Sequence, residues 1–390
     1  MDANTHDITR DQFMLDGAFA SHGYDWWWHS FTAHHAQTGE AKAFFVEFFC
    51  INPALAAAEP VFGQLPENKA AGKKPSYLIV KAGCWGEDAC QLHRFFAWPE
   101  VEVGLGAPYF IAADDCLATE THLVGRVEVS AQDAAAHPEW MSDAGSMFFD
   151  LQLDKQIAFN VGYGAGNALR KAKAFDMFWH AEGMKTCVSG TVVFNGETYT
   201  VDPHTSFGYS DKNWGRDFTS PWVWLASSNI VSLNSGQVLD NSAFDIGGGR
   251  PKVGPIALDR TLLGAFVYEG RTYEFNFSKP WTGARTKFNC GETGNDIVWH
   301  VELETFDALL IADITCPQAE MLHANYEAPD GQKRYSKLWN GGTGWGRVQL
   351  FEKVKGELVL VDDMKVKNVG CEYGEYDTDD ERGEQAADQR

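Results

Sequence analysis

Apolar residues recur mostly at every second position along this chain, in short runs divided by turn-forming residues. Ala41–Ile51 (AKAFFVEFFCI) reads as a strand rich in aromatic and β-branched side chains. Ser76–Ala82, Gln91–Trp98, Leu123–Val129, Ser146–Leu153, Asp296–Glu304, Ala308–Thr315, Trp345–Lys353 and Glu357–Val361 read the same way. Two hairpins are explicit. Lys185–Val201 folds back at Asn195-Gly196, a pair suited to a type I′ turn, and Leu263–Tyr268 meets Thr272–Phe277 across Glu269-Gly270. Only Asn167–Trp179 predicts a helix of any length. Many strands at this spacing predict an all-β fold of sandwich or barrel type. A seam is expected near Phe218–Pro221, where strands resume after a Gly- and Asp-rich motif. The predicted layout is an N-terminal arm (1–20), a first barrel (21–218), a second barrel (219–371) and a disordered acidic tail (372–390).

With 390 residues the chain is long enough for two cores. Its aromatic content is high, with 14 Trp and 26 Phe, which suits both core packing and the walls of a pocket for a flat apolar ligand. The net charge of −22, with no Lys/Arg cluster, argues against nucleic acid and against an anionic membrane surface. The opening residues lack an apolar signal segment, and no apolar run is long enough to span a membrane. The eight Cys form no CxxC pair and fit free thiols in a reducing cytoplasm. Oligomeric state is left open.

Four clusters carry candidate chemistry. In Gly23–His35 (GYDWWWHSFTAHH), alternation puts His29 on one face with Trp27 and sends neighbouring tryptophans to the other; core packing and a pocket wall are both open. In Phe175–Gly183 (FDMFWHAEG), Trp179 and His180 stand near Glu182, as a tuned acid or base or as a satisfied structural histidine. Asp202–Gly215 (DPHTSFGYSDKNWG) is the most specific. It gathers His204, Tyr209, Asp211, Lys212, Asn213 and Trp214. If extended, it sends Tyr209, Asp211 and Asn213 to one face and Lys212 and Trp214 to the other. An Asp directed into an aromatic-lined barrel would keep its proton near neutral pH and donate it, whereas a turn whose Asp bonds amides or Lys212 is the plain alternative. In Trp339–Trp345 (WNGGTGWG), a Gly-rich bend with tryptophan packed across it is expected. No metal is expected, since no HxH, HExxH or Cys/His tetrad occurs. A GxSxG elbow is absent too. Asn160–Gly166 (NVGYGAG) has GxGxG spacing rather than GxGxxG and reads as a bend between strands.

At these residues the chain resembles a known family. Gly23–Leu55 is similar to the opening of tocopherol cyclases and their bacterial relatives. Ser189–Asn229, with SGTVVFNGETYTV, YSDKNWG and PWVWLASSN, is similar to their central block, and a looser likeness runs to about Lys353. A weaker one reaches the carotenoid hydratases and lipocalin-like Diels–Alder cyclases. The resemblance implies two lipocalin-like barrels in tandem around an apolar cavity. It also implies cofactor-free acid–base chemistry on an alkene, with Tyr209 and Asp211 at the catalytic Tyr-x-Asp element and Trp179 and His180 as the pair before it. The chain lacks a plastid transit peptide, its WWWH segment differs and it carries an acidic tail, so a substrate other than a tocopherol precursor is expected.

These readings converge on a cyclase, hydratase or isomerase acting on an apolar phenolic, prenylated or polycyclic molecule. Asp211 is the expected acid, with Tyr209 positioning its proton. His180, His204 or His29 would return the proton, Lys212 would balance charge, and Trp27, His29, Trp179, Asn213, Trp214 and Trp224 would line the site. A non-catalytic carrier of an apolar molecule and a nicotinamide- or flavin-using reductase are the rival classes.

Overall fold

The computed structural model describes residues 6–160, 175–250, 252–253, 256–257, 260–331 and 334–375. Regular structure is almost entirely antiparallel strand; the described α-helices are the short Pro66–Ala70 and Ala131–Ala136. Two large sheets form, of 12 and 11 strands, beside a small pair, Lys252–Val253 with Ile256–Ala257. The first runs from Tyr24–His35 to Gly208–Gly215, and the second from Trp222–Ser227 to Glu357–Glu375. Both expected hairpins occur. Asn195 and Gly196, and likewise Glu269 and Gly270, take the positive φ that a type I′ turn demands.

Each large sheet curls around its own core in barrel fashion, and alternation along the strands builds a third core between the two. In Tyr24–His35, Trp27 packs inside the first barrel, while Tyr24 and Trp28 face the seam. In Trp222–Ser227, Val223 and Leu225 enter the second barrel, while Trp222, Trp224 and Ala226 face the seam. Strands at the seam are therefore apolar on both faces, which explains runs such as PWVWLA that alternate poorly.

Three expectations change. Met177–Phe194 is a strand, so Met177–Trp179 do not end a helix. Met177 and Trp179 pack at the seam and Phe178 in the first barrel, a two-residue period. Residues 167–174 of that predicted helix, and all of NVGYGAG after Asn160, lie outside the described residues. The WNGGTGWG bend lies within the strand Arg334–Val354 as a bulge, where the register against Glu357–Glu375 shifts at Gly341, Gly344 and Gly346. Trp85 of the first barrel packs against Gly342, at a point where any Cβ would enter its ring. The predicted tail begins too early: Glu372–Glu375 still belong to a strand, because Trp222 and Trp224 pair with Gly374 and Glu372.

Candidate active site

Asp211 stands in the strand Gly208–Gly215, opposite Trp28 in the neighbouring strand. Its face is the one that Tyr209 and Asn213 share, as alternation requires. That face looks out of the first barrel onto the seam, correcting the expectation of a carboxyl pointing into a barrel. The strand on its other side, Met177–Phe194, brings Trp179 alongside. Asp211 is buried, and indoles supply its donors: Trp26 Nε1 at 3.3 Å on Oδ1 and Trp179 Nε1 at 3.0 Å on Oδ2.

Across the seam the second sheet contributes Asp245, held in Ala243–Gly249 beside Ala226. Tyr209 joins the two acids. Its hydroxyl lies 3.0 Å from Asp245 Oδ2 and 3.3 Å from Asp211 Oδ2. Trp224 Nε1 donates to that hydroxyl at 3.2 Å and to Asp245 Oδ1 at 3.1 Å. A phenol carries one proton and cannot donate to two carboxylates at once. With one of the acids protonated, that acid donates back to the phenol oxygen and both contacts are satisfied. Burial points the same way. It pushes Asp211 up to about 8, helped by the negative charge of Glu372, and pushes Asp245 well above the usual carboxylate range. Tyr209 is likewise raised by burial and stays a neutral phenol.

A small hollow of about 20 Å³ lies beside this cluster. Trp26, Phe218, Trp222 and Tyr326 form its aromatic walls, and Glu372 is its one carboxylate. Trp26 links hollow and cluster, since its Nε1 holds Asp211 while the indole lines the cavity. Glu372 accepts from Trp222 Nε1 and Asn340 Nδ2, both at 2.6 Å, and burial raises it to about 7. A second hollow, also of about 20 Å³, adjoins through Met177, Phe218 and Thr219 and adds Phe175, Leu263 and Phe277. The arrangement sets buried carboxyl groups beside a tight aromatic hollow, which opens to a flat apolar ligand only if the ring walls part.

Of the residues singled out in the sequence, Tyr209, Asp211, Asn213, Trp179 and Trp224 share the seam. Asn213 Oδ1 accepts from Tyr24 OH at 2.9 Å. The others do not join them. His204 sits exposed in a surface turn after Asp202, since its segment leaves the sheet before Gly208. Lys212, His180, His29, Trp27 and Trp214 belong to the opposite face, inside the first barrel, one residue out of phase with Asp211 and Trp179. There Lys212 pairs with Asp25 and lies 3.8 Å from the Trp27 ring centre. His29 Nδ1 meets Ser210 Oγ at 2.9 Å, and Trp214 stacks on Phe178. His180 lies between Asp11 and Asn160, at 2.6 and 2.9 Å. These groups cannot reach a ligand at the seam.

Asp245, Glu372, Trp26, Trp222 and Tyr326 escaped the sequence reading. Trp26 had a usable signal. It has the parity of Trp28, which pairs with Asp211, but only the cross-strand register reveals that link. Asp245 and Glu372 lie in strands with no motif around them.

No family model matches the chain. It shares distant homology with plant tocopherol cyclases. It is 33% identical over 200 residues to the chloroplastic tocopherol cyclase of Zea mays, covering 48% of this chain and 37% of that one. With the Oryza sativa subsp. japonica protein named "Probable tocopherol cyclase, chloroplastic" it shares 33% over 135 residues, 31% of this chain and 26% of the other. The matched segments thus span only about a third of those relatives' length. Among solved structures, kievitone hydratase from Nectria haematococca aligns over 96% of this chain and 97% of its own, with 12% identity and a TM-score of 0.44. CghA with Sch210972 aligns over 92% of this chain and 89% of its own, with 12% identity and a TM-score of 0.42.

Proposed function

We propose, from this distant homology to tocopherol cyclases and from the protonated carboxyl at the seam, that the protein catalyses acid-promoted cyclisation, hydration or isomerisation of an apolar alkene, such as a prenylated phenol. The supporting observation is the Asp211–Tyr209–Asp245 network, in which one phenol joins two buried carboxyl groups beside an aromatic hollow and a protonated acid satisfies both contacts. Asp211 gives its proton to a C=C bond, and Tyr209 with Asp245 restores it. Trp26, Trp222 and Tyr326 flank the developing cation, and ring faces attract such charge by about 0.5–2 kcal/mol each. Glu372, on the cavity wall, takes up the proton released when an internal hydroxyl or water captures the cation, and its return to the Asp211–Tyr209–Asp245 network closes the cycle with no net proton consumed. The eight free thiols fit a reducing compartment, and we place the protein in the cytoplasm on that ground.

Native mass spectrometry of protein purified from its own host identifies a retained ligand, and turnover of that ligand or of a panel of prenylated phenols is then followed. Asp211→Asn keeps the shape and removes the proton. Its turnover should fall by about 10²–10⁴-fold, with binding retained. Undiminished turnover in Asp211→Asn rejects the assignment. Ligand released unaltered by the parent protein would recast the chain as a carrier.

A further inference from the structure

The interior of the first barrel holds a second polar site, on the far side of the sheet from Asp211. The N-terminal arm enters there: Trp27 Nε1 donates to Asp11 O at 2.7 Å, and Met14 N donates to Asp25 Oδ2 at 2.8 Å. This seats His6 and Asp11 opposite Glu120. His6 Nε2 touches Asp11 Oδ2 and lies 3.5 Å from Glu120 Oε1, and one ligand atom from each of the three lies within 4.8 Å of the others. Asp11 and Glu182 are wholly enclosed, and Glu120 is largely so.

Two observations ask for a cation. The first is charge. Three carboxyl groups, Asp11, Glu120 and Glu182, crowd one buried spot, with Lys155 between the two glutamates and His6 and His180 against Asp11. The second is unmet bonding. Glu182 Oε1, Glu120 Oε2 and the hydroxyl of the fully buried Tyr109 have no hydrogen-bond partner among the described residues. Tyr109 faces Glu182, Glu120 and Asp11. Buried carboxylate oxygens without a donor are costly, and a metal ion with its water meets both needs.

We propose that His6, Asp11 and Glu120 bind one divalent metal ion, zinc by the match of one imidazole and two carboxylates to its usual ligands. The ion clamps the arm across the barrel, and its water serves Glu182 and Tyr109. The full chain, stripped with a chelator, is titrated with Zn²⁺ alone and with Co²⁺ alone. One equivalent of zinc should survive gel filtration, as measured by elemental analysis, and Co²⁺ should give a visible d–d band. His6→Ala and Glu120→Gln should each weaken zinc binding at least about tenfold. His204→Ala, on an exposed histidine, should leave binding unchanged. His6→Cys keeps a ligand at the same place, so its cobalt form should gain a near-ultraviolet thiolate charge-transfer band that the parent lacks. Absence of stoichiometric zinc in the parent overturns the proposal. So does zinc binding indifferent to His6→Ala and Glu120→Gln, with no new band in His6→Cys.

Discussion

Asp211 carries its proton into a pH range where an ordinary aspartate has lost it, and this has a thermodynamic signature apart from turnover. The unfolded chain releases that proton near pH 4, whereas the folded chain holds it to about 8. Between those values the unfolded state binds fewer protons, so rising pH drains stability, by up to about 1.4 kcal/mol per pH unit for this one group. Asn does not titrate. The stability of Asp211→Asn relative to the parent should therefore climb from about pH 4 to about pH 8 and level off beyond. Denaturant titrations at pH 5 and pH 8 read this directly; a difference that stays constant with pH would contradict the buried acid. Tyr209 and Asp211 were legible in the sequence because one short segment holds both. Alternation also separated them from Lys212 and Trp214. The sense of that alternation was not legible, because two apolar faces, barrel interior and seam, look alike until a second barrel is placed.

At the scale of strands, the site depends on close passage of large rings over glycines. A Cβ on Gly370 would enter the ring of Trp224, and one on Gly247 would lie 3.0 Å from that of Trp179. Both indoles donate to the acid network. Gly370→Val should therefore displace Trp224, destabilise the fold by about 1–3 kcal/mol and depress turnover together. An unchanged denaturation midpoint would show that the ring is not held there. Hairpins were the best-read elements, since Asn195-Gly196 and Glu269-Gly270 fix their turns locally. The strand at Met177–Phe194 was misread at its start, where too few residues alternate to separate a two-residue period from a helical one. The WNGGTGWG glycines were recognised as a distortion, but their purpose, room for Trp85 from the other sheet, is a long-range fact.

At the scale of the molecule, the third core makes the two barrels energetically inseparable. It buries Trp28, Phe45 and Trp85 from one sheet with Trp222, Trp224 and Leu338 from the other. Separated, each barrel would present a broad aromatic face to water. Denaturant unfolding should accordingly run as one transition, with tryptophan fluorescence and far-ultraviolet circular dichroism coinciding. Two resolved steps would mean that the seam contributes little. The sequence showed the all-β character of the chain. It did not show that the aromatic hollow lies at the junction of the two sheets, because no local pattern records docking.

Tyr209 and Asp211 come from one sheet, Asp245 and Glu372 from the other, and a single phenolic oxygen spans the gap. A chimera that exchanged one barrel for that of a relative would inherit half a proton-sharing circuit, however well each half folded. A change on one side of the junction is thus felt by the hydrogen-bond partners on the other.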